Sequence, residues 1–285
     1  MSCTMKIPCL HASSFAAFIG KHPYEKHHEA FEKVWQRTSP ETYAQALQRH
    51  KKTTRDQQVE ALKSSVPELQ QTFQQAKAIG KERDSSAEVC DMQKQLYDVV
   101  SAKVQSDDDR KLVEEALRKE LFTSFGTSNE RSVLDILEHD CHFELDDGVT
   151  DVVYAKTYET PKRKVPWKLV GKIDACTKDG SLLIEVKNRM HRLFMKAPEY
   201  ERIQVETYLQ LHETAERALL VESLKHNGSR TINIIPIDAN NALWDECHSK
   251  AHAMIDFLSL LVDDIQLQDA YMTSKRPSAF LKAFF

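Results

Sequence analysis

The chain has 285 residues, enough to bury a sizeable core in one large domain or two small ones without disulfide or metal staples. Hydrophobic residues make up 41%, charged residues 29%, and the formal net charge is -4, the profile of an ordinary soluble protein. That balance excludes a broadly basic nucleic-acid binder, so any contact with phosphate must come from a local patch.

Glycine and proline punctuate the chain unevenly: no glycine lies between Gly20 and Gly80, and no proline between Pro67 and Pro161. From about 40 to 122 the sequence is rich in Gln, Lys, Glu, Ala and Leu, with apolar residues returning every three or four positions in 43–51, 59–63, 69–77 and 112–121. This spacing predicts three or four helices. After Asp140 short β-rich runs take over, at 151–157, 167–175, 181–186, 218–225 and 231–237, separated by turn residues such as Asp146-Asp147-Gly148 and Asn227-Gly228. Helices are expected at 198–213 and 240–264, the latter carrying Leu243, Ala251, Met254, Ile255, Leu258 and Leu261 near helical spacing. No internal repeat is present.

The segment that carries chemistry runs from Lys172 to Lys187, two apolar-rich strands flanking Asp179-Gly180, a dipeptide that favours a two-residue hairpin turn. With those two as the loop, Lys178 faces Ser181 and opposed residues have numbers summing to 359, so Asp174 faces Glu185. Opposed side chains have Cβ atoms about 5 Å apart. Strand alternation puts Glu185 and Lys187 on one face and turns Ile184 and Val186 toward the interior.

Two carboxylates that close repel unless a cation lies between them, and oxygen ligands suit a hard ion such as Mg²⁺ or Mn²⁺. The lysine then orients or deprotonates a water, a combination suited to phosphodiester hydrolysis. The same three residues on a hairpin face also make an ordinary solvated ion network, and spacing alone does not separate the two readings.

Asp174, ten intervening residues and Glu185-Val186-Lys187 resemble the PD-(D/E)XK nuclease motif, with Ile173 in place of the family's frequent proline. Upstream, Phe125-Gly126-Thr-Ser-Asn-Glu130 resembles the Gly-x-x-x-Glu entry to a helix in the lambda exonuclease and YqaJ branch, which implies that Glu130 joins the metal site. Downstream, Gln204-Val-Glu-Thr-Tyr208 is similar to the Gln-x-x-x-Tyr helix shared with RecB-like nucleases. Its i, i+4 spacing puts both side chains on one helix face. At the N-terminus, the stretch from His11 to Pro23-Tyr24 resembles the Ser-rich opening of YqaJ proteins. There a serine and a preceding basic residue help hold a DNA 5′ phosphate, roles matched by Ser13 or Ser14 and Lys6; physically, Ser13 or Ser14 equally suits the cap of the following helix.

The resemblance implies an α/β fold with a restriction-endonuclease-like core, a mixed central sheet flanked by helices and an inserted all-helical region. The expected division is 1–38 for the first core segment, 39–122 for the helical insertion and 123–285 for the nuclease core. The implied activity is Mg²⁺-dependent hydrolysis of DNA, with Mn²⁺ able to substitute, by an exonuclease acting on DNA ends in recombination, replication or repair of a virus or mobile element. Asp174, Glu185 and the Val186 carbonyl would bind metal with Glu130. Lys187 would position or activate water, and Gln204 with Tyr208 would orient the strand being cut. The lambda exonuclease resemblance further implies a homotrimer. Rival readings are a nucleic-acid-binding scaffold on the same fold, and an endonuclease or RNA-acting member of the superfamily.

Arg189, His191, Arg192 and Lys196 form a basic cluster beside the proposed site, with Arg189 and Arg192 the expected phosphate contacts; Lys162-Arg163-Lys164 fits a solvated loop as well as a phosphate contact. The helical region fits a structural insertion, a DNA-guiding lid or a protein-partner surface; Leu69-Gln-Gln-Thr-Phe-Gln-Gln-Ala is amphipathic without sustained heptads. His139, Cys141 and His142 lack the spacing and fourth ligand of a zinc site, and His27-His28 receives no role. No G-x-S-x-G elbow, Cys-centred hydrolase signature or P-loop is present. The six cysteines, at 3, 9, 90, 141, 176 and 247, include no C-x-x-C pair and read as reduced thiols. Residues 1–20 lack a signal-peptide pattern and no stretch is long and apolar enough to span a bilayer, so an intracellular protein, cytoplasmic or nuclear, is expected.

Overall fold

The computed structural model describes residues 5–226 and 228–284; Cys3 and Asn227 of the sequence reading lie outside them. The fold is mixed α/β, with mixed β-sheet flanked by helices. The first layer combines β1 (Cys9–His11), α1 (Ala12–Phe18), α2 (His27–Thr38) and α3 (Pro40–Arg49). Their apolar faces, including Phe15, Phe18, Phe31, Trp35 and Tyr43, pack with the chain's last helices, α9 (Asn241–Asp263), α10 (Ile265–Thr273) and α11 (Pro277–Lys282). The two ends of the sequence thus share one core.

Where three or four helices were expected, the middle region holds five: α3, α4 (Arg55–Ser65), α5 (Pro67–Glu82), α6 (Ser86–Lys103) and the first half of α7 (Asp107–His139). Pro67 opens α5 at a position where its missing N–H costs nothing, while a Thr54/Gln57 capping box starts α4. Leu69, Ala76, Val89, Leu96, Val100, Leu117 and Leu121 form this region's own apolar cluster. Helix α5 crosses α7 at Gly80, where a Cβ would lie 2.5 Å from the Leu121 carbonyl oxygen; only glycine lets these backbones approach so closely. Helix α7 then continues without a break out of this bundle, and its second half lays Val133, Leu134 and Leu137 on the sheet.

The single central sheet expected from sequence is resolved into two. Strand β3 (Val153–Glu159) pairs antiparallel with β4 (Pro166–Lys172), which takes β1 as a parallel partner. The second sheet has the order β2 (Leu145–Asp146), β5 (Ala175–Thr177), β6 (Leu182–Asn188), β7 (Arg217–His226), β8 (Ser229–Asp238), with β6 and β7 parallel. The division falls inside the run 167–175, which the sequence reads as one strand. It breaks at Ile173-Asp174 because the Asp174 carboxylate accepts the Val186 backbone N–H, 2.7 Å, a side-chain bond in place of a ladder bond.

The β5–β6 hairpin keeps the predicted register, with Ala175 opposite Ile184 and Cys176 opposite Leu183. Its turn is wider than two residues: the Gly180 N–H donates to the Thr177 carbonyl, 2.8 Å, and Gly180 alone of the pair takes a positive φ, 69°. Widening by one residue on each arm leaves the sum of opposed positions unchanged. Helix α8 (Glu199–Leu211) covers one face of the sheet and α7 the other. Among the described residues no helix is long and apolar enough to cross a membrane.

Candidate active site

Strand β6 alternates between the two cores. Ile184 and Val186 point to the α7 side, packed with Val133, Leu137 and Val221, while Leu183 joins Val205, Tyr208 and Leu209 of α8. Glu185 and Lys187 share the Leu183 side by the period of two. Glu185 is only 4% exposed. Its Oε1 accepts from Lys187 Nζ, 2.6 Å, and from Gln204 Nε2, 2.8 Å. Lys187 also donates to Gln204 Oε1, 2.9 Å, and Gln204 Nε2 donates to the Tyr208 hydroxyl, 2.9 Å. Four of the residues picked from sequence therefore form one continuous hydrogen-bonded group.

The second Glu185 oxygen, Oε2, is buried with no hydrogen-bond partner among the described residues. An orphaned carboxylate oxygen costs several kcal/mol when desolvated. Asp174 stands beside it, latched through Oδ2 to the Val186 N–H. Burial first, then the charges of Glu185 and Glu130, hold the Asp174 carboxyl well above its ordinary range. Glu130, from α7, is pushed up to about 7, chiefly by burial and then by Glu185. It is placed by an anchor one helical turn earlier, where Asn188 Nδ2 at the end of β6 donates to the Gly126 carbonyl, 2.9 Å. Asp174 and Glu185 thus stand together with Glu130 within range of their charge, a repulsion that Lys187 opposes.

Lys187 is half-buried against Glu185. Burial alone would favour the neutral amine, but the charge and hydrogen bond of Glu185 outweigh it and raise the pKa. The side chain is fixed by two acceptors, Glu185 and Gln204, beside the orphaned carboxylate oxygen. Among the described residues no three His, Cys, Asp or Glu side chains are grouped closely enough to hold an ion by themselves. A hard cation would therefore draw on two carboxylates, Asp174 and Glu185, and on backbone oxygen. Glu130 is near enough to feel their charge but does not complete a three-carboxylate group.

Tyr208 can reach Gln204 because Gly171 on β4 has no side chain: a Cβ there would meet Tyr208 Cε1 at 2.8 Å and Leu211 Cδ1 at 2.9 Å. Gly171→Ala is expected to cost about 1–3 kcal/mol by overpacking, although alanine is ordinarily the better strand residue. Urea unfolding measures this, and an unchanged midpoint would show that the ring does not depend on that space.

The phosphate contacts expected from sequence fare unevenly. Arg189 is held inside the fold: its guanidinium grips Glu201 with two 2.6 Å bonds, donates to Glu222 from Nε at 2.7 Å and lies over the Phe194 ring, leaving the side chain 10% exposed. Its charge is spent inside the fold. Arg192 is exposed on the following loop. Ser13 and Ser14 do not cap α1, whose cap residue is His11; Ser13 is exposed, and Ser14 Oγ donates back to the His11 carbonyl, 3.3 Å. Helix α1 nevertheless reaches the site's surroundings, because Ala12 packs with Ile173, Val205 and Tyr208. Lys6 is exposed ahead of β1, where its backbone N–H donates to the Thr38 carbonyl, 3.0 Å.

Sequence reasoning missed the Glu201–Arg189–Glu222 network. Its one sequence signal was Glu222, a lone charge ending the apolar run Ala218-Leu-Leu-Val.

No family model matches the chain, and no curated protein matches it. Among solved structures the chain is similar to LHK-Exo in complex with dAMP, at 15% identity and a TM-score of 0.38, over 70% of this chain and 97% of that one. It is also similar to an alkaline exonuclease, LHK-Exo, from Laribacter hongkongensis, at 14% identity and a TM-score of 0.37, over 72% and 100%. Likeness at this level carries no weight for function, which is argued from the side chains.

Proposed function

We propose that the chain is a metal-dependent nuclease that hydrolyses DNA phosphodiester bonds, an exonuclease acting at DNA ends in recombination, replication or repair of a virus or mobile element. The observation that supports it is the buried Glu185–Lys187–Gln204–Tyr208 group beside Asp174, with one Glu185 oxygen left without a partner. A solvated ion network, the bland reading of the same hairpin, would leave these groups in water. Here Glu185 is buried, where an unpaired oxygen is costly.

The donor set fits a hard divalent ion, Mg²⁺ or Mn²⁺, held by Asp174, Glu185 and the Val186 carbonyl, with Glu130 at the edge of its shell. When bound, such an ion supplies Lewis-acid stabilisation of the charge that gathers on the phosphate and lowers the pKa of water. Lys187 places a fixed ammonium beside the same phosphate, compensating charge that develops as the bond breaks. Gln204 holds Lys187 and Glu185 in register and, with Tyr208, presents a polar row along α8 against which the strand is aligned. A homotrimer, and a protein partner for 39–122, belong to the same reading.

Digestion of end-labelled linear, nicked and covalently closed duplex DNA with Mg²⁺ or Mn²⁺ tests it. Loss of linear DNA alone, stopped by chelator, is the expected result. Cutting of closed circles would replace exonuclease by endonuclease, cleavage of RNA alone would change the substrate, and no cleavage of either nucleic acid would leave a binding scaffold.

A further inference from the structure

One helical turn before Gln204, on the same face of α8, Tyr200 opens onto a cleft of about 670 Å³, within the roughly 300–1,000 Å³ range of small-ligand sites. One wall is the loop from Gly20 to Tyr24. It is held by the Gly20 N–H to the Ala17 carbonyl and the Lys21 N–H to the Ala16 carbonyl, 3.1 and 2.8 Å, and by Lys21 ion pairs to Glu199 and Glu246. The His22 ring lies 4.4 Å from Tyr200, and His22 Nδ1 accepts the backbone N–H groups of Tyr24 and Glu25. Tyr24 is thereby fixed edge-on to Tyr200, yet 78% of it is exposed. The exposed ring offers a face on which a planar group can stack.

The opposite wall is the loop after β6. It is pinned from beneath: the Phe194 and Met195 N–H groups donate to Glu222, 3.0 and 2.9 Å, and Arg189 stacks on the Phe194 ring. Arg192, Lys196 and Lys282 line the cleft and make no ion pair among the described residues, while its one acid, Glu199, is paired with Lys21. Two tyrosines, a histidine and three cations, of which Arg192 also lies over the Phe194 ring, match the chemistry of single-stranded nucleic acid, in which bases stack on aromatic faces and cations track the phosphates.

We propose that this cleft receives an unpaired nucleotide of the DNA strand next to the cutting site, its base stacked on the exposed Tyr24 ring with its edge toward Tyr200, and its phosphate facing Arg192, Lys196 and Lys282. The assignment deepens the nuclease reading and rests on it for the cutting site, while the cleft's binding chemistry is independent of cleavage. Stacking accepts any base, so the subsite selects for unpaired strand rather than for sequence.

The test is fluorescence anisotropy of a short fluorescein-labelled oligothymidylate in chelator, so that binding is read without cutting, alongside digestion of duplex DNA with Mg²⁺. Tyr24→Ala is expected to weaken oligonucleotide binding about tenfold. Arg192→Gln combined with Lys196→Gln is expected to reduce the log–log salt slope by about 1.4, the release of two counterions from a single strand. Absence of binding by the unaltered protein, or binding and salt slope unchanged in both variants, would overturn the proposal. Oligonucleotide binding that responds to the variants in a protein that cuts nothing would keep the cleft and remove the nuclease; cutting with variant-insensitive binding would do the reverse.

Discussion

The Glu185→Gln variant is expected to fold normally and to lose DNA cleavage by roughly a thousandfold or more, the scale of removing a group that acts on charge in the transition state. The amide keeps the shape and can still accept from Lys187, but one of the three acids disappears. Asp174 and Glu130 are then relieved of a neighbour that raises their pKa values, which offsets the lost Lys187 ion pair, so stability in chelator should change little. The discriminating readout is linkage to metal. For the unaltered protein, Mg²⁺ at a hundredfold over its dissociation constant should add about 2.7 kcal/mol to stability, and in Glu185→Gln that gain should vanish. Lys187→Ala should lose cleavage yet keep the gain, because its ammonium positions and neutralises without ligating. Differential scanning calorimetry with and without Mg²⁺ measures both. Equal metal-linked gains in Glu185→Gln and the unaltered protein would remove Glu185 from the ligand set, whatever happens to activity.

Much of this site is legible in the sequence because its register depends on local rules. A strand's period of two separates Glu185 and Lys187 from Ile184 and Val186, a helix's spacing puts Gln204 and Tyr208 together, and symmetric widening of the turn keeps the register that brings Asp174 within range of Glu185's charge. What the sequence hides is long-range. The apolar run 167–175 carries no breaker at Ile173-Asp174, because the bond that ends the strand comes from Val186, twelve residues away. The boundary between α5 and α6 has neither glycine nor proline in Glu82-Arg-Asp-Ser85, and its signal is Ser85 three residues before Glu88, the cap position of α6. Arg189 looks like a phosphate contact among its basic neighbours. Its two carboxylate partners lie 12 and 33 residues further on, and only the packing of α8 against β6 and β7 brings them to it.

Loss of that arginine should have the largest effect on stability. Arg189→Met is expected to cost about 3–5 kcal/mol at neutral pH, since removing one member of a buried ionic set leaves the others uncompensated; here Glu201 and Glu222 have side-chain exposures of 4% and 0%. Arg189→Lys should fall between, because one ammonium cannot reproduce the paired bonds to Glu201. The pH dependence follows from Glu222. Burial acts to raise its pKa, but the Phe194 and Met195 N–H groups, Asn233 and Arg189 outweigh it and leave the carboxyl below its ordinary range. A depressed folded-state pKa gives stability that is present above the unfolded value, about pH 4.3, and is lost as pH falls through the folded one. Without Arg189 the carboxyl titrates higher and that contribution shrinks, so the gap between Arg189→Met and the unaltered protein should be widest near pH 7 and narrow in acid. Adding Glu201→Gln to Arg189→Met should recover part of the loss, because the amide leaves less charge stranded. Urea unfolding from pH 7 down to about pH 4 reads all three effects, and a gap that stays constant with pH would place the cost in lost packing against Phe194 instead of in orphaned charge.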